Sequence, residues 1–227
     1  MKILFILTFL ISVNVSLSQN NKNVLSTKSS DRIDDKLYNK QTGEKISISQ
    51  LKKIIDENPE IRFEHVINKY GKIDRFYYNP NNILTEFPNR DKSQQIKEGQ
   101  LFPEFVFKTI DNEIIDSEKQ KGKWVLIRFE LFTRFMNKGS IEKLNNQINK
   151  LEESKDLISI ICLADNKQNI KNEMALINSN FKLVDGGGNF HEKFNIVGFP
   201  TTLLLDKQGR VYKYFYNRDE IVLEALF

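Results

Sequence analysis

Cysteine and histidine are nearly missing from this 227-residue chain, which holds one cysteine, Cys162, and two histidines, His65 and His191. A single cysteine excludes an intramolecular disulfide, a Cys-x-x-Cys redox pair and a cysteine-built zinc site. The two histidines lie far apart with no other ligand type spaced around them, so no metal and no other cofactor is expected. A basic block is missing too. The formal charge of +4 is spread over both halves, and nucleic acid is not an implied partner. What the chain does have is apolar material, 40% of its residues including seventeen Phe, enough to bury a core and to argue against disorder. At about 150 residues per domain, the length predicts one domain or two.

The opening stretch reads as a leader. Met1 and Lys2 precede an apolar run from Ile3 to Val13 that is too short to span a bilayer, and Ser16, Leu17 and Ser18 supply small residues where a signal peptidase reads. Residues 1–18 are therefore expected to be a signal peptide. The product is then exported, periplasmic or secreted, with no integral membrane segment after cleavage.

Residues 19–31 are polar and aperiodic and read as a linker. A small α+β unit is expected over 32–79. In it, Lys36 to Ile46 suggests a hairpin turning at Thr42 and Gly43. Ser47 with Gln50 three residues on is a capping box opening a helix with Ile48, Leu51, Ile54 and Ile55 on one face. Strands follow around His65 and from Ile73 to Tyr78, separated by the Tyr70-Gly71 turn. His65 is expected at a strand surface with no catalytic role. Residues 80–96 read as a connection.

From residue 97 to 227 strands and helices alternate. Trp124 to Phe129 and Leu157 to Leu163 are nearly continuous apolar runs, the pattern of central strands covered on both faces. Between them Ile141, Leu144, Ile148 and Leu151 fall at helical spacing, and Ile170, Met174 and Ile177 space a second helix. Phe181 to Val184 is a short strand, and Thr201 to Leu205 with Arg210 to Tyr216 form a hairpin about the Asp206-Gly209 turn. Alternation of this kind implies parallel pairs with an antiparallel edge. Gly186, Gly187 and Gly188 lack the Lys-Ser/Thr of a phosphate loop and read as a connection, and His191 is expected on an exposed helix start. The pairs Asp34-Asp35 and Glu152-Glu153 read as solvated faces.

Three strings in this order resemble the thioredoxin-like redoxins of the TlpA and AhpC/TSA group: Gly99 to Phe105 with Pro103, Lys121-Gly122-Lys123 running into Phe129, and Val197-Gly198-Phe199-Pro200-Thr201-Thr202. The resemblance implies an α/β fold, a thioredoxin-like mixed sheet flanked by helices, with the small N-terminal α+β unit in front. It also implies that Pro200 is the family's cis-proline. Where the family carries a cysteine pair, the ungapped match places Arg134 and Asn137. Neither side chain can replace a thiolate, and no cysteine lies between Gly99 and Ile161. Thr133 has a hydroxyl but no neighbouring base. Cys162 falls inside the most apolar strand, where burial raises a thiol's pKa and blocks access.

Two functional readings follow. In the first the chain is a non-catalytic module that binds a peptide or protein partner at the degenerate groove, through Phe132, Thr133, Phe135, Met136, Phe199 and Pro200; the same aromatics could instead pack the loop shut. In the second it is a thiol-disulfide oxidoreductase or antioxidant redoxin by family, working through Cys162 or a partner's thiols.

Overall fold

Three sheets account for the strands of a computed structural model that describes residues 33–81, 90–174, 179–216 and 221–226. The expected signal peptide and linker, residues 82–89 of the connection, Ile177, and the side chains of Asp34, Glu152 and Glu153 lie outside the described residues.

The first sheet belongs to the N-terminal part. One helical turn, α1 (Ile33–Lys36), leads into β1 (Leu37–Asn39). Past Gly43, whose φ of 73° suits glycine, Lys45 bridges back to Tyr38 in antiparallel fashion, while the other edge of β1 pairs parallel with a later strand. Helix α2 (Ile48–Glu57) starts where its capping box predicts: the Ser47 hydroxyl accepts from the Gln50 amide and the Gln50 side chain accepts from Ser47 N at 2.8 Å. Strands β2 (Glu64–Ile67) and β3 (Ile73–Tyr78) complete a β1-β3-β2 sheet over a small core of Leu37, Ile46, Leu51, Ile67, Ile73 and Phe76.

A two-stranded hairpin, β4 (Val106–Lys108) and β5 (Ile114–Asp116), turns at Asn112 (φ 68°). The main sheet follows, from β6 (Trp124–Glu130), α3 (Lys138–Lys155), β7 (Leu157–Leu163), α4 (Lys167–Met174), β8 (Lys182–Val184), α5 (Gly188–Lys193), β9 (Thr201–Leu205) and β10 (Val211–Tyr216). Its order is β10-β9-β6-β7-β8, with β6, β7 and β8 parallel and β9 antiparallel to both β6 and β10. A βαβ unit flanked by an antiparallel hairpin is the thioredoxin-like mixed sheet. The final residues form a short 3-10 turn, Leu223–Ala225.

Strand alternation sorts the core into two layers. Val125, Ile127 and Phe129 of β6 point into a layer with Phe105, Phe107, Phe190 and Phe194. Leu126 points the other way, onto Ile141, Leu144, Ile148 and Leu151 of α3. Each of those four is buried, worth roughly 1.5–3 kcal/mol against exposure.

From Ile33 onward the chain forms one compact unit. Helix α5, between β8 and β9 of the main sheet, ties it to the first sheet: Asn189 Nδ2 donates to Gly71 O at 2.8 Å and Lys193 Nζ to Ile67 O at 3.1 Å. Among the described residues no helix is long and apolar enough to cross a membrane.

Candidate functional site

The loop after β6 holds most of the residues singled out by sequence, and the fold divides them. Thr133 is buried: its hydroxyl donates to Asp165 Oδ2 at 2.7 Å and its amide to the same oxygen at 3.2 Å. Met136 is buried in the layer under α3. The expectation that Thr133 and Met136 belong to a contact surface is therefore corrected: one ties the loop to the β7–α4 connection and the other fills core. Asp165 also accepts from Asn169 Nδ2 at 2.7 Å. Burial acts to raise the Asp165 pKa, but the hydrogen bonds from Thr133, Asn169 and Asn166 outweigh it and hold the carboxyl below its usual range.

Arg134, Phe132 and Phe135 sit together at the surface. The Arg134 guanidinium lies 5.2 Å from the Phe132 ring centroid and 4.7 Å from that of Phe135, which is 65% exposed. Phe199 turns away from them. It packs against the β4 side of the core with its ring 4.8 Å from that of His191.

Asn137 and Pro200 come together instead, on the walls of a cleft of about 450 Å³. The Phe199–Pro200 peptide bond is cis. Asn137 is the N-cap of α3, its Oδ1 accepting from Ser140 N at 3.0 Å, and the first turns of α3 form one wall with Ser140, Lys143 and Gln147. Thr202 and Phe215 contribute from β9 and β10. The groove beside Pro200 is thus open, and the loop aromatics do not fill it.

Arg128, from the middle of β6, also lines this cleft, although only 3% of it is exposed. Its Nε donates to Glu130 Oε1 at 2.7 Å. The two residues are two apart on the strand and therefore on one face, the face that carries Leu126 onto α3. Burial raises the Glu130 pKa, and the charge and hydrogen bond of Arg128 offset only part of that.

The one thiol is elsewhere. Cys162 has no exposed surface and belongs to the Phe-rich layer, on the opposite face of the sheet from the cleft. Burial pushes its pKa far above the usual thiol range. Gly187 closes over it: a Cβ at that glycine would meet Cys162 Sγ at 2.5 Å and Leu163 O at 2.9 Å. Of the three glycines read as a connection, this one packs against the strand rather than merely linking elements.

His191 corrects a second expectation. It is 1% exposed rather than on an open helix start, because α5 lays that face on β7, where Nε2 lies 3.2 Å from Cys162 O. His65 is at the strand surface, its Nδ1 3.0 Å from a Glu192 carboxylate oxygen. Arg128, Glu130 and Asp165 escaped sequence reasoning. A signal existed for the first two: charges at alternate positions of an otherwise apolar strand occupy one buried face and call for mutual pairing. Among the described residues no three of His, Cys, Asp and Glu are grouped to hold a metal ion.

No protein-family model matches the sequence, and no curated protein does. Solved structures do. The chain is similar to a proposed protein disulfide isomerase of Bacteroides thetaiotaomicron, at 16% identity and a TM-score of 0.49 over 55% of this chain and 82% of that one. It is similar to a thiol:disulfide interchange protein of the thioredoxin family from Chlorobium tepidum, at 18% identity and a TM-score of 0.44 over 54% and 88%. It is also similar to the thioredoxin domain of a thiol-disulfide oxidoreductase from Bacteroides vulgatus, at 19% identity and a TM-score of 0.44 over 53% and 89%. The described residues themselves give a thioredoxin-like domain that combines a single, sealed thiol with an open cleft beside Pro200.

Proposed function

We propose that this chain is an exported, thiol-independent binding module that holds a peptide or an extended segment of a partner protein in the cleft between α3 and the β9–β10 hairpin. The observation that carries this reading is the cleft itself. Its volume of about 450 Å³ lies within the roughly 300–1,000 Å³ of ordinary ligand sites. Its walls mix apolar Leu144, Pro200 and Phe215 with polar Asn137, Ser140 and Gln147, the blend that takes an extended chain with alternating side chains. Exposed Phe135 and Arg134 add an aromatic-cation patch on the loop leading to α3. Export rests on the leader-like composition of residues 1–18.

The oxidoreductase reading lacks geometry of this kind. Disulfide exchange needs a thiolate that can reach a second sulfur, and Cys162 is covered on every side with its pKa raised by burial.

Selection of a random decapeptide display library on the wild-type chain and on Ser140→Trp, which plugs the cleft, tests the proposal. Peptides enriched on the wild type are expected to lose about tenfold or more in affinity for the variant. Enrichment that is the same on both proteins would reject the cleft as the binding site.

A further inference from the structure

Arg128 is placed unusually for an arginine. It is 97% removed from solvent and its side chain forms part of the cleft, yet it has a single polar partner among the described residues, Glu130 at 2.7 Å through Nε. A guanidinium offers five N–H donors in a fixed fork. One is used by Glu130, and the terminal nitrogens are neither partnered nor among the buried polar atoms sealed off from the cleft. A buried cation held by one carboxylate on one edge leaves its other edge able to take a second, coplanar acceptor pair.

Among the described residues the lining holds no Asp or Glu, and the amide end of the 18-residue α3 opens onto it at Asn137. Thr202, the β9 partner of Arg128 across the sheet, stands beside it on the lining and can supply a hydroxyl. A burial this deep selects a planar anion small enough to reach the floor.

We infer that the cleft is a carboxylate-recognition site in which Arg128 binds the ligand's carboxylate from the floor, with Glu130 holding the guanidinium in place. This rests on the proposed binding role of the same cleft and names the chemistry of what enters it: an acidic side chain or chain terminus of a peptide, or a small free carboxylate. Glu130 acts as a positioning residue. With its Oε1 on Nε, it fixes the plane of the fork and leaves the terminal nitrogens facing the cleft.

The test is a titration of the ¹⁵N-labelled full chain, followed at the Arg128 side-chain N–H resonances, with three probes: a capped pentapeptide with one central glutamate, its glutamine twin, and acetate. The glutamate peptide is expected to bind about tenfold or more tighter than its twin and to shift the Arg128 signals. That preference should disappear in the Arg128→Gln, Glu130→Gln double variant, which replaces the pair by neutral groups of similar shape, and should weaken in Arg128→Lys, which keeps the charge and loses the fork. Should the double variant fail to fold, Arg128→Lys carries the comparison. Acetate that shifts Arg128 while neither peptide binds supports the carboxylate site with a small-molecule source and removes the peptide reading. Twins that bind equally without moving Arg128 overturn the inference and leave the binding role standing. If no probe moves Arg128 and none binds, both are overturned.

Discussion

His191 spends its folded life among phenylalanines, with Phe129, Phe199 and the Cys162 carbonyl as neighbours. Burial pushes its pKa down to about 4; the Cys162 carbonyl opposes this, and the charge of Arg90 assists it. The unfolded chain takes up a proton near pH 6.5, the folded one only near 4, so protons favour the unfolded state throughout that interval. Stability should therefore be constant with respect to this group above pH 6.5 and should fall as pH drops toward 4, by about 3 kcal/mol at the lower end. Urea titrations across this window should show the fall for the wild type and a flatter profile for His191→Phe. Equal slopes would mean that the ring is protonated, and so hydrated, in the folded chain. The same burial that silences His191 silences Cys162, whose sulfur lies beneath Gly187. At this scale the chain has converted its titratable side chains on the Phe-rich face into core.

Among the elements, α3 connects the loop to the cleft, and Asn137 stands at its start. The Asn137 side chain caps the helix. Asn137→Ala should destabilise the domain by about 1 kcal/mol, and Asn137→Ser should recover most of it, both read from the midpoint of thermal unfolding. No loss in the alanine variant would show that the cap is idle. The elements were largely legible in the sequence because each obeys one local rule. The Ser47–Gln50 box starts α2, the 141, 144, 148, 151 spacing makes the buried stripe of α3, and the continuous apolar runs became the central strands β6 and β7. What local rules do not contain is which neighbour a surface meets. The parallel pairing of β1 with β3, the turning of His191 onto β7 and the burial of Thr133 against Asp165 all depend on partners 29 residues or more away in the chain. Of the site, the composition disclosed that the chain holds a single cysteine, whereas the Arg128–Glu130 pair and the open groove needed the packing of α3 against the hairpin.

In the whole molecule, the small sheet is braced against the thioredoxin-like part through the tight turn at Gly71. That glycine has φ +72°, and a Cβ on it would lie 2.6 Å from the Phe190 ring. Gly71→Ala combines an unfavourable backbone with a clash at the joint, and it should cost about 1–3 kcal/mol. The loss should show as a lower urea midpoint, with protection from hydrogen exchange falling first around β2, β3 and α5. An unchanged midpoint would indicate that the small sheet does not press on α5 in solution. The larger architecture separates two things that a redox protein keeps together. The cleft lies on the α3 face of the sheet and the thiol in the layer behind it. Insulin reduction by the full chain, run beside the Cys162→Ser variant with dithiothreitol as the electron source, tests that separation most directly. Both proteins are predicted to give the uncatalysed rate; turnover by the wild type that disappears in the serine variant would contradict it.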